Sequence, residues 1–281
     1  MKIDIIMIKQ YLKKNRNLEN ISRTIMMPWF IYTKAKFDIN LALRYIGINK
    51  NNYSKIATLK DKHKEERCFI VATGPSLTVN DLNRLKNDIT ISVNSIVDAF
   101  AESDWRPTYY GICDEKVVKK LRTKLDTDLF ELAFIGSNIK HMFENKTNIV
   151  PFPLDLMWHR MINAKPHTKF STDCSVVVYD GYSIVYNMLQ IAVYMGFKDI
   201  YLLGTDCDYS MNTKHFNAFD VEDKKQYSYG DLMIYAYHEA YEFCRNHNVN
   251  IYNTTRGGKL EVFPRVNYES LFTEKEGTVD A

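Results

Sequence analysis

Polar residues that could do chemistry stand in this chain at the ends of short apolar runs. The first run, Cys68-Phe69-Ile70-Val71-Ala72, stops at Thr73-Gly74-Pro75-Ser76. Gly74 has no side chain to block a ligand, Pro75 stiffens a turn, and the Ser76 hydroxyl can cap a helix placed over Thr78 to Leu85. The free amides and positive dipole end of that helix would then face an anion over Gly74. Neither GxGxxG nor GxxxxGK[ST] is present, and an ordinary strand-to-helix turn has the same composition. Asn94 and Asp114 end two further runs, and Asp206-Cys207-Asp208-Tyr209 ends a fourth, with His215, Tyr229 and Arg256 downstream. Their types are those that hydrogen-bond a ligand, hold a cation through oxygen, or move a proton near neutral pH.

The elements that must position these residues are strands followed by helices. Short β-branched and aromatic runs bounded by turn residues predict strands at Cys68–Ala72, Asp88–Asn94, Thr108–Cys113, Leu132–Ile135, Asn148–Pro151, Asp199–Gly204 and Val249–Asn253. Ile184, Met188, Ile191 and Met195 recur at helical spacing and predict a buried helix over Tyr182–Met195, whose N-terminus carries Asp180, Gly181 and Ser183. Its methionines are core packing. A second helix, Gly230 to Arg245, turns Met233, Ala236, Ala240 and Phe243 inward and leaves His238 to solvent. Repeated strand-then-helix units imply an α/β fold with a doubly wound, mostly parallel sheet. In such sheets ligands gather at the carboxyl ends of the strands, where the polar residues lie.

The stretch before Cys68 differs. Lysines and arginines punctuate an apolar pattern that peaks at Ile25-Met26-Met27-Pro28-Trp29-Phe30-Ile31-Tyr32, and Pro28 is expected to break or start a helix. Helices docked on the main domain fit this composition, with peripheral membrane contact through residues 1–35 as the rival. Lys60 to Arg67 reads as a linker or solvated helix end, which divides the chain into an N-terminal helical extension, 1–66, and a main domain, 67–281. The segment from Asp155 to Asp173, with Trp158, His159, Arg160 and His167, reads as irregular, the kind of loop that often serves as a lid.

Composition excludes some classes. A net charge of +3 argues against a nucleic-acid binder. With 46% hydrophobic and 25% charged residues the 281-residue chain is globular, and no apolar run reaches membrane-spanning length. Five scattered cysteines without a CxxC pair look like reduced core thiols, which with no signal peptide points to the cytoplasm.

As an ordered set, Gly74-Pro75-Ser76-Leu77, Asn94, the Gly181 helix, the Ile200-to-Asp206 strand and Thr255-Arg256-Gly257-Gly258 resemble the 6-hydroxymethylpterin diphosphokinase MptE-like family, common in bacterial surface-polysaccharide gene sets. The layout, over about residues 66 to 265, is also similar to the bacterial sialyltransferases that use CMP-sialic acid. The resemblance implies a Rossmann-like domain that binds a nucleotide through Thr73, Gly74, Pro75, Ser76, Asn94, Asp114, Gly181, Ser183, Asp206 and Tyr209. Thr73 replaces an Asn of the sialyltransferases, and Asp114 replaces another. A carboxylate beside a phosphate invites a cation.

Two chemistries follow from it. A glycosyltransferase of lipopolysaccharide or capsule synthesis, taking a nucleotide-sugar donor such as a CMP-sugar and a glycan acceptor, needs a base for the acceptor hydroxyl and a group for the departing phosphate. His215 is the expected base and Tyr209 or Tyr229 the phosphate donor, with Arg256 as charged partner. The sialyltransferases place their base later, where this chain has Tyr227, Ser228 or Tyr229, and a surface histidine would look like His215 in sequence. A pyrophosphokinase would instead hold ATP with Mg²⁺ on Asp114, Asp206 and Asp208, although Asp206 can equally cap a turn. The transferase reading is preferred; no cofactor is assigned to it with certainty, and Mg²⁺ stays open. It places the chain in the cytoplasm, peripheral to the inner face of the membrane, and is compatible with a homo-oligomer that completes the site. A nucleotide-sensing scaffold is the non-enzymatic alternative.

Overall fold

The computed structural model describes residues 16–143, 146–159, 166–208 and 228–272. Helix α1 is Arg16–Tyr45, and a short α2, Ser54–Ala57, follows. Next come β1 (Arg67–Val71), α3 (Val79–Arg84), β2 (Thr90–Val93), a 3-10 helix at Asn94–Ala101, β3 (Tyr109–Ile112) and α4 (Glu115–Leu121). Strands β4 (Leu132–Gly136), β5 (Ile149–Phe152), β6 (Leu154–Asp155) and β7 (Val178–Tyr179) precede α5 (Ile184–Tyr194), β8 (Asp199–Leu203), α6 (Tyr229–Asn246) and β9 (Asn250–Asn253).

Seven strands form one sheet in the order β5-β4-β3-β2-β1-β8-β9, parallel throughout. The central strands read as continuous apolar runs because both faces are covered. On one face Cys68, Ile70, Ile91 and Tyr109 pack with Met188 of α5 and Ala236 of α6. On the other, Phe69, Val71, Tyr110 and Ile112 pack with Leu82 of α3, Ile96 of the 3-10 helix and Val117 of α4. Pro151 is tolerated because β5 is an edge strand, where a missing N–H need not break the ladder.

One expectation needs correction, and two segments are tied down more closely than their composition implies. Pro28 lies inside α1 and does not end it. The helix is held downstream, where Phe30 is buried and the Arg44 Nε donates to the Val176 carbonyl at 2.7 Å, which offsets the bond a proline loses. Ile25, Trp29, Tyr32 and Ile39 of the same helix are exposed. The Lys60 to Arg67 stretch is largely exposed but tied to the main domain. Its amides at Asp61 and His63 donate to the carbonyls of Tyr194 and Met195, and the His63 ring stacks on Phe197 at 4.5 Å with Nε2 2.7 Å from the Tyr109 hydroxyl. The Asp155 to Asp173 region is flanked by a small parallel pair, β6 and β7, which Gln190 and Asn187 of α5 tie down through the Tyr179 carbonyl. All five cysteines are free, and no helix among the described residues is long and apolar enough to cross a membrane.

Candidate functional site

Strand order reverses beside β1. From β1 the chain builds outward through β2 to β5, then returns to the other side of β1 with β8 and β9. The carboxyl ends of β1 and β8 therefore bound the crevice where open α/β sheets take ligands. The two strand ends are locked together. The Ala72 amide donates to the Leu203 carbonyl at 2.8 Å, the Gly74 amide to the Gly204 carbonyl at 2.9 Å, and the Ser76 hydroxyl to Asp206 Oδ2 at 2.9 Å. Gly204 itself takes φ +69°, a conformation glycine adopts without strain.

This arrangement changes the meaning of the Gly-Pro-Ser turn. A Cβ at Gly74 would lie 1.9 Å from Asp206 Oδ2 and 2.4 Å from the Gly204 carbonyl, so the missing side chain makes room for the neighbouring strand end. Ser76 does not cap α3. Thr78 does, in a reciprocal box with Asp81, which already satisfies amides expected to face an anion.

The other expected residues are distributed along the same edge. Asn94 follows β2 at φ +49°, its backbone carbonyl accepting from the Tyr110 hydroxyl at 2.7 Å while its side-chain oxygen is buried without a partner. Asp114 caps α4, accepting from the amides of Lys116 and Val117 at 2.6 and 3.3 Å. It ends β3, three strands from β8, or about 14 Å at the usual strand spacing of ~4.8 Å. Asp208 pairs with Lys259 at 3.0 Å and Asp206 accepts from Ser76. The donor set Asp114, Asp206 and Asp208 is therefore not brought together and does not fit a shared Mg²⁺. Among the described residues no three His, Cys, Asp or Glu side chains form a metal cluster.

Arg256 is also engaged elsewhere. Its guanidinium grips both oxygens of Asp81 at 2.8 and 2.7 Å and pairs with Glu269, while Tyr268 donates to the Asp81 carbonyl. Burial pushes the Asp81 carboxyl up, but Arg256 and the Thr78 bonds outweigh it and hold the group below the usual carboxylate range. The charge expected to meet a phosphate is thus already neutralised. Gly181 is fixed by packing, since a Cβ there would meet the Tyr186 ring at 2.2 Å. Ser183 caps α5 through the Val185 amide, and Tyr229 is the half-buried first residue of α6, capped by Ser228 and Asp231. Tyr209 and His215 lie outside the described residues.

Two features of this edge escape sequence reasoning. Thr205, directly after Gly204, is 3% exposed, and its hydroxyl is buried without a partner while its amide donates to Thr255 Oγ1 at 3.0 Å. Unpaired buried polar atoms are uncommon in native folds and often mark a place for a ligand or water. In addition, the non-glycine residues Asn94, Tyr182 and Cys207 hold left-handed backbones around the edge, at φ +49°, +67° and +51°. Such strain clusters at functional sites.

Comparison with known proteins places this framework. Among solved structures the chain is similar to the MAf glycosyltransferase from Magnetospirillum magneticum AMB-1, with 17% identity and a TM-score of 0.48 over 75% of this chain and 35% of that one. It thus spans about a third of that protein's length. No curated protein matches. The family model described as 6-hydroxymethylpterin diphosphokinase MptE-like matches residues 44–212, from the end of α1 past β8 and across both sides of the crevice. The chain belongs to the MptE-like family.

Proposed function

We propose that this chain is a glycosyltransferase that takes a nucleotide-sugar donor, of the CMP-sugar class, and transfers the sugar to a glycan of the cell surface, lipopolysaccharide or capsule. The observation that carries the reading is the hydrogen-bonded lock between the ends of β1 and β8 at the reversal of strand order. It supplies a rigid backbone floor where a nucleotide would lie, with Thr73 to Ser76, Asn94, Thr205 and Ser183 around it. Transfer needs the acceptor hydroxyl to lose its proton and the nucleotide to leave with the bonding electron pair. Tyr229 is assigned as hydrogen-bond donor to the leaving phosphate. The acceptor is met on the cytoplasmic side, and the exposed Ile25, Trp29 and Tyr32 of α1 give the chain an apolar surface for peripheral contact with the membrane.

The family's name offers a Mg²⁺-dependent diphosphokinase as the second reading. The separation of Asp114 from Asp206 disfavours it, because a cation bridging phosphates needs oxygens that converge. Melting the protein with CMP, CDP, UDP, GDP and ATP, each with Mg²⁺ or with EDTA, separates the two. A ligand at a hundredfold excess over its Kd stabilises the native state by about 2.7 kcal/mol. That is several degrees in Tm, expected for CMP in EDTA. A shift confined to ATP with Mg²⁺ would establish the kinase.

Asp114→Asn sharpens the distinction. Asparagine caps helices as well as aspartate, so the variant should keep both its Tm and its CMP shift. A diphosphokinase using Asp114 as a metal ligand would lose its ATP shift in the same variant.

A further inference from the structure

His159 stands in an unusual setting, on the β3 side of the sheet's carboxyl edge. Its side chain is 13% exposed, and both ring nitrogens are buried without a hydrogen-bond partner. Tyr182 stacks on one side at 4.0 Å between centroids, and His167 meets the ring edge-on at 5.1 Å. The Asp180 Oδ2 lies 3.6 Å from Nε2, beyond ordinary hydrogen-bond reach but close enough to favour a positive ring. His159 therefore sits over the residues that lead into α5. The same Asp180 carboxylate, after burial, helps to raise the Cys113 thiol at the end of β3, so the cluster stands beside Asp114.

The backbone before His159 is held against its preference. Met157 and Trp158 both adopt left-handed φ, +51° and +52°, and Asp155 Oδ1 accepts from the Met157 amide at 2.9 Å. Strain of about 1–3 kcal/mol per residue persists only where surrounding structure enforces it. Trp29 and Phe30 of α1 supply that enforcement, meeting the Trp158 ring edge-on at 6.0 and 5.2 Å. The N-terminal helix thus fixes the turn that presents His159.

We propose that His159 is the proton acceptor of the transfer, held by the α1 clamp on Trp158 and by Tyr182, with Asp180 stabilising the imidazolium as it forms. The assignment rests on the glycosyl-transfer reading above. The acceptor O–H gives its proton to a ring nitrogen of His159, the oxygen's electron pair forms the new bond to the anomeric carbon, and the bond from that carbon to the phosphate oxygen breaks. The nucleoside monophosphate leaves with that electron pair, and the imidazolium later returns its proton to solvent. Burial and the neighbouring His167 push the His159 ring down to about 4, with only the Asp180 backbone pulling it up. The ring is therefore neutral at pH 7 with a lone pair free. As bonding to an oxocarbenium-like carbon acidifies the acceptor oxygen, a weak base suffices.

Hydrolysis of CMP-N-acetylneuraminic acid, read as CMP release, tests this without knowledge of the acceptor, because water then supplies the hydroxyl. His159→Gln should lower kcat by about 10²–10⁴-fold. Its CMP-induced rise in Tm should equal that of the wild type. The groups facing the ring are His167, Asp180 and Tyr182. Accordingly kcat/KM of the wild type should stay flat from pH 8 down to about 5 and fall only as His159 protonates. Should His159→Gln not fold, this profile decides the matter, and a break near pH 6.5 would assign the base to an exposed histidine. Release within threefold of wild type in His159→Gln would overturn the proposal alone. A wild-type chain that binds CMP but releases none from this donor would sink the transfer reading, and this proposal with it.

Discussion

Arg256→Ala is expected to destabilise the chain by about 3 kcal/mol, the lower end of what breaking a buried ion pair costs. The Asp81 side chain is 3% exposed and would be left as a buried carboxylate with only the Thr78 contacts, while the guanidinium is 43% exposed, so solvent screens part of the attraction. Because Asp81 also closes the capping box of α3 and its carbonyl holds Tyr268, the loss should spread from α3 to the C-terminal segment. Urea unfolding reads the change. Arg256→Lys should recover part of the stability, since it restores charge but not the two-pronged contact. An Arg256→Ala protein with unchanged stability and no CMP shift would return the residue to the phosphate-binding role that its sequence position suggests.

Gly74→Ala is expected to cost about 3 kcal/mol or more and to remove nucleotide binding at the same time. One clash, with the Asp206 carboxylate, is with a side chain that can turn away; the other, 2.4 Å from the Gly204 carbonyl, is with the backbone of a central strand end. Adding Asp206→Ala should therefore rescue stability only in part. Full rescue would mean that the strand ends can separate, and that the lock is looser than its three hydrogen bonds imply. Retained stability in Gly74→Ala with lost binding would instead favour the simpler idea that Gly74 only clears a path for a phosphate.

The sheet was legible in the sequence because parallel strands covered on both faces need continuous apolar runs, and Phe69-Ile70-Val71 and Leu202-Leu203 have no other reason to be so. The polar residues at the strand ends were legible as an edge. Their roles were not, since those depend on partners far away in the chain. Nothing local announces that Ser76 bonds to Asp206, that Arg256 grips Asp81, or that Gly74 makes room for another strand end. A six-residue α3 with its cap at Thr78 differs from a helix capped by Ser76 by only two positions, yet that shift moves the Ser76 hydroxyl from a helix end to a strand end. His159 shows the same limit. Its burial comes from Tyr182 and His167, and its turn is held by a helix that precedes β1.

The pairing of β1 with β8, in register from Arg67 with Asp199 to Val71 with Leu203, also governs when the crevice can exist. During synthesis β1 emerges roughly 130 residues before its partner, and closing so long a loop is entropically slow. Strands β1 to β5 can order among themselves in the meantime, leaving one side of β1 an open edge. A ribosome-bound or truncated chain ending before Asp199 would carry Gly74-Pro75-Ser76 with no floor beneath a nucleotide and an unpaired central strand exposed to aggregation. If the crevice binds a nucleotide as proposed, that binding would report completion of the whole sheet and so serve as a late checkpoint on folding.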